Sequence, residues 1–256
     1  NTGSGLDYYY QLSNGYLEMF EVDKDGNHAL PAQLNTDLSG FTLEPESDVI
    51  VIRGIDETEY GIAKAMENVS ADLRLSGKAG TASGDILLIS DCEKAAIFQV
   101  TTSNYQSGTN DTNLTHNQGA SVSPGNSQNE LSNSNGFDED ASVFKFATNT
   151  FFIAPSSFTN STGETSKSLW QKNGTNAPFE LVAGVSGMRL WAGEDTSGNG
   201  VANKFIRPGD VTDMDDVVTL EIQLDSQSIE SINHTDGSRK PIVKQFSMTV
   251  LLRNRG

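Results

Sequence analysis

Hydrophobic side chains recur at every second position over much of this chain, in short runs cut by polar, glycine-containing turns. That period belongs to strands with one buried face. It is clearest in residues 179–224, where Met188, Leu190 and Ala192 fall on one face of a first strand. Val218, Leu220, Ile222 and Leu224 share a face of a second, with Thr219, Glu221 and Gln223 opposite. Further strands are predicted at 16–22, 71–75, 142–153, 169–171 and 243–252, the last with Phe246, Met248, Val250 and Leu252 together. The β-branched run 49–52 fits a strand buried on both faces. ILLIS (86–90) and AIFQVT (96–101), joined by Asp91-Cys92-Glu93-Lys94, read as antiparallel neighbours.

Only residues 57–68 (ETEYGIAKAMEN) suggest a helix, with Tyr60, Ala63 and Met66 three apart. Tyr8-Tyr9-Tyr10 reads as extended, and Asp25-Gly26 as the centre of a hairpin turn. From 102 to 140 the composition turns to Ser, Asn, Thr and Gly, with few apolar side chains to offset the entropy of ordering. The expectation is a single domain over residues 1–256. Its class is α+β, predominantly antiparallel β, with one short helix and a long polar loop at 102–140.

A formal charge of -17 argues against a nucleic-acid partner or an anionic membrane surface. Charged residues are only 20% of the chain, so its polarity comes from Asn, Ser, Thr, Gly and Gln, the composition of loop-rich exported β proteins. The sequence starts at Asn1 without a leader or an apolar run long enough to span a bilayer, and so reads as a soluble or processed portion.

Candidate chemistry centres on Asp195-Thr196-Ser197-Gly198-Asn199-Gly200. Asp195, Ser197 and Asn199 have the spacing of EF-hand positions 1, 3 and 5, with Gly200 at the turn and Val201 offering its carbonyl. Ca²⁺ is the cofactor this pattern suggests. Ile206 stands where a bidentate Glu belongs, and only one early side chain is charged, so a plain turn is the stronger reading. The sole cysteine, Cys92, reads as buried or disulfide-bonded rather than nucleophilic, because His28, His116 and His234 all lie in polar segments without triad-like company. Trp170 and Trp191 are core side chains before they are sugar platforms. Nothing in the sequence predicts an enzyme.

Four segments carry a family likeness: SDVIVIRG (47–54), ILLISDCEKAAIFQVT (86–101), FELVAGVSGMRLWAGEDTSGNG (179–200) and FSMTVLLRNR (246–255). With His116-Asn117 and Pro124-Gly125-Asn126 between them, they resemble the PilW-type minor pilins of bacterial type IV pili. The resemblance implies a pilin-like head lacking its N-terminal spine helix, exported to the periplasmic face of the inner membrane and the cell-surface pilus. It implies a structural and priming role beside other minor pilins and the major pilin, with the missing helix in the inner membrane. It also implies that Cys92 pairs with a cysteine outside this chain. The alternative reading is a secreted Ca²⁺-dependent adhesin or carbohydrate-binding domain.

Overall fold

The computed structural model describes residues 8–10, 15–119, 122, 125–133, 135–233, 235 and 238–252. The strands, in chain order, are β1 (Leu17–Phe20), β2 (Val49–Lys64), β3 (Leu73–Ser76), β4 (Ile86–Ser90), β5 (Ala95–Gln99), β6 (Thr102–Gln106), β7 (Asp111–Thr115) and β8 (Ser142–Thr159). They continue with β9 (Thr165–Asn173), β10 (Phe179–Ala183), β11 (Val185–Glu194), β12 (Lys204–Ile206), β13 (Val217–Gln227), β14 (Ile232–Asn233), β15 (Arg239–Lys240) and β16 (Val243–Leu251). Every ladder between them that carries a register is antiparallel.

The α+β class with a pilin-like head is therefore corrected to nearly all β, with 50% strand and 6% helix. The one α-helix among the described residues is α1 (Ala32–Asp37), six residues long after Pro31. The helix predicted at 57–68 does not form. Its residues run on from Val49 in β2, where Ile62 pairs with Leu75 and Lys64 with Arg74. Ile55, Thr58 and Ile62 are β-branched and Gly61 weakens a helix, so local preference and ladder agree.

The chain divides into two compact units, one holding Arg53–Ala147 with the 3-10 turn Tyr8–Tyr10, the other 15–52 and 148–256. In the first, β3 pairs with β2 and β7, β7 with β6, and β4 with β5 and β8. Leu73, Leu75, Leu87, Ile89, Phe98, Leu114 and Val143 form its core. The expected 102–140 loop begins with two regular strands of five residues each. Threonine-rich segments make the β6–β7 hairpin, turned at Asn110 with φ 52°. Leu131 and Phe137, the rare apolar residues of that stretch, are buried in the same core.

In the second unit β11 lies between β12 and β13, and β13 between β11 and β16. The inner face of this sheet, with Met188, Leu190, Ala192 and Leu220, packs against Leu17, Met19, Ile50 and Ile153 of β1, β2 and β8. One expected position moves. Gly193 pairs with Thr219 but Glu194 with Val217, so a bulge turns Val217 into the core in place of Val218. Gly184, at φ 83°, joins β10 to β11: its N–H bonds to Lys167 O beside β10, and its C=O accepts from Gln227 N–H of β13.

The last strand departs most from its sequence pattern. Phe246, Met248 and Val250 pair with Leu224, Ile222 and Leu220, as alternation requires. All nine residues of β16 are nevertheless exposed, Phe246 at 57% and Met248 at 59%. The apolar face exists, but no described residue covers it.

Candidate functional site

The 195–200 loop is built around its own carboxylate. Asp195 Oδ1 accepts from Ser197 N–H (2.9 Å), Ser197 Oγ (2.9 Å) and Gly198 N–H (2.8 Å), and Oδ2 from Gly200 N–H (2.5 Å). Burial works against its charge, but the N–H groups of Gly200, Ser197 and Gly198 outweigh this and hold the carboxyl below the usual range. Asn199 Oδ1 is likewise turned inward, accepting from Val201 N–H at 2.9 Å. A cation needs lone pairs aimed at it, and here N–H donors occupy both carboxylate oxygens. Glu194 is tied to Lys204 at 3.1 Å, and Asp213 caps Asp215 N–H at 2.9 Å. No group of three or more acidic, His or Cys side chains gathers for a metal among the described residues. The donors of this loop are arranged as a turn, and Asp195 is its only carboxylate. Calorimetry on chelator-treated protein is expected to show no heat with Ca²⁺ and no rise in Tm, whereas a site filled at a hundredfold its Kd would add about 2.7 kcal/mol.

Cys92 is exposed, at the tip of the β4–β5 turn, so its expected burial is corrected. The turn is closed by Asp91 Oδ1, which accepts from Glu93 N–H and Lys94 N–H. His116 is buried, with Nε2 3.0 Å from Ala71 O, and His28 sits on the 23–27 hairpin turn bridged to Val22. His234 lies outside the described residues, as does the basic tail 253–256. Trp170 is packed edge-on to Phe41 and donates Nε1–H to Pro155 O. Trp191 lies beneath the Arg207 guanidinium, 5.3 Å from the ring centre. Trp170 is buried, and Arg207 covers one face of the half-buried Trp191 ring.

Two acidic clusters escaped the sequence reading. Asp48 is fully buried, with Oδ2 accepting from Leu190 N–H at 2.7 Å and Oδ1 from Arg207 Nη2 at 2.8 Å. Burial raises its pKa to about 6 against the pull of Leu190 N–H and Arg207. Glu180 accepts from Ser156 Oγ and Ser168 Oγ at 2.6 Å and from Ser157 N–H at 2.8 Å. Burial opposes its charge, yet these donors bring the carboxyl down to about 2. The signal for the first was a polar pair, Ser47-Asp48, set directly before a buried apolar run. Both clusters tie strands together.

No family model, curated protein or solved structure matches the chain. What remains as a candidate for function is surface. The four sequence segments with a family likeness supply the start of β2, the β4–β5 hairpin, β10–β11 and β16. Of these, β10 and β16 each pair on one side only and expose Phe179, Leu181 and Val182, and Val243, Phe246, Met248 and Leu251.

Proposed function

We propose that this protein is a non-enzymatic subunit of a bacterial surface fibre, a minor pilin of the PilW type that joins its neighbours through sheet edges. The observation that carries the reading is β16. It is nine residues long and pairs with β13 without a register shift. Its apolar side chains stand uncovered, and Lys244 is its only charge. Long, flat, apolar edges pair with other chains unless something blunts them. Charge adds a preference. Residues 238–256 hold Arg239, Lys240, Lys244, Arg253 and Arg255 and no acid, in a chain of net charge -17. An acidic neighbouring subunit suits that strip. The partners are other minor pilins and the major pilin; the proposal concerns assembly and does not restore an α+β architecture.

The test is co-purification of the intact exported protein with pilin subunits. Phe246→Lys with Met248→Lys changes two exposed side chains and is expected to leave folding intact. Each truncated apolar anchor costs more than about 1 kcal/mol, so together they should weaken capture by about tenfold or more. Failure of the unmodified protein to retain any pilin subunit would refute the assembly role.

A further inference from the structure

A second sheet edge in the other unit faces a groove rather than open solvent. β5 pairs with β4 on one side only. Opposite its free side runs segment 126–133, and between them lies a groove of about 540 Å³ lined by Lys94, Ile97, Phe98, Asn126, Glu130, Leu131 and neighbours. The two sides meet at one point. Gln99 N–H donates to Asn126 Oδ1 at 2.7 Å, and Asn126 Nδ2 donates to Gln99 O at 2.7 Å. A side-chain amide there stands in for the N–H and C=O of a neighbouring strand.

The rest of the edge follows from parity. Backbone groups of successive strand residues point to alternate sides. Val100 N–H bonds to Asp85 O on the β4 side, so Gln99, Ile97 and Ala95 direct theirs outward. Asn126 takes those of Gln99. Those of Ile97 and Ala95 open into the groove, and among the described residues nothing bonds to them. The Ile97 side chain is 47% exposed beside them.

We infer that this groove binds an extended peptide segment with alternating apolar side chains by strand addition to β5. Its backbone completes the ladder that Asn126 begins. An apolar side chain of the peptide lies beside Ile97 as a cross-strand neighbour, and the amides of Asn126, Gln128 and Asn133 meet its outer edge. The inference uses neither β10 nor β16 and stands apart from the fibre reading.

A phage-displayed library of random heptapeptides, selected on the whole chain, tests it. Peptides with alternating apolar residues should be enriched, and an enriched peptide should slow hydrogen exchange at the Ala95 and Ile97 amides. Ile97→Pro removes one outward N–H and leaves the β4 ladder alone, a change edge strands accept. It should weaken the enriched peptide by about tenfold, a 1.4 kcal/mol loss. Ile97→Lys alters only an exposed side chain, should weaken the same peptide by removing its apolar cross-strand neighbour, and decides the matter if the proline variant does not fold. No enrichment over bare support, protection confined to other amides, or unchanged affinity in the folded variants overturns the inference.

Discussion

Asp48→Ala is expected to lower the unfolding free energy of the second unit by about 1–3 kcal/mol at neutral pH, the cost of leaving the buried Leu190 N–H without its acceptor. Arg207 is fixed by more than Asp48. Its Nη1 donates to Leu190 O at 2.9 Å, Nε lies 3.5 Å from Glu21, and its guanidinium covers Trp191. It stays in place when Asp48 is lost, with its charge poorly matched and Leu190 N–H without an acceptor. Both tryptophans, Trp170 and Trp191, lie in this unit, so their fluorescence in a urea titration reports its unfolding.

The pH dependence has an unusual sign. Asp48 has a folded pKa of about 6 against 3.8 for the unfolded chain. Between those values the folded state holds a proton that the unfolded state has released, so stability falls as pH rises through this window. The contribution is complete below the unfolded value and lost above the folded one, about 3 kcal/mol for a shift of this size. Glu180 acts in the opposite sense. Its depressed pKa gives stability present above 4.5 and lost as pH falls toward about 2. Asp48→Asn isolates the first effect, because it keeps the shape and removes the titration. The slope between about pH 4 and 6 should flatten in this variant. An identical slope in both proteins would rule out Asp48 as its source.

What could be read from the sequence was what local pattern decides. Met188, Leu190 and Ala192 alternate and are buried, and ILLIS and AIFQVT pair across the turn that Asp91 closes. The Asp23–Asn27 turn is also local, with Asp23 Oδ1 accepting from Asp25 N–H and Asn27 N–H. Residues 57–68 failed because the spacing of Tyr60, Ala63 and Met66 does not mark one buried face: Ala63 is exposed, and Ile62 is the buried residue of this part of β2. Hairpin β6–β7 was hidden because threonine and asparagine make strands without an apolar stripe. Exposure was beyond reach altogether. Phe246, Met248 and Val250 alternate as cleanly as Met188, Leu190 and Ala192, yet the latter are covered from both sides and β16 has a neighbour only in β13. Position in a sheet is a property of the whole fold, and so is the reach of Arg207 across 159 residues to Asp48.

Gly184→Ala should cost about 3 kcal/mol or more, in the middle of the segment whose alternation was clearest. A non-glycine residue at positive φ costs about 1–3 kcal/mol on conformation alone. Here φ is 83°, and an added Cβ would lie 2.5 Å from Gln227 O. That oxygen belongs to backbone, and the Gln227 N–H of the same residue bonds to Gly184 O at 2.7 Å, so relief requires breaking that bond or shifting β13. The chain has no easier corner at this point. On one side of Gly184, Ala183 pairs with Ser168 of β9; on the other, Val185 pairs with Ser226 of β13. One residue therefore moves the chain from one sheet to the next, and any Cβ there is driven into the receiving strand. Gly40→Ala is the control, since its added Cβ meets nothing within 4 Å. Urea titrations followed by tryptophan fluorescence should show a large loss for Gly184→Ala and almost none for Gly40→Ala. A Gly184→Ala protein within about 0.5 kcal/mol of the parent, the range of an ordinary surface change, would mean that the corner is not held by glycine.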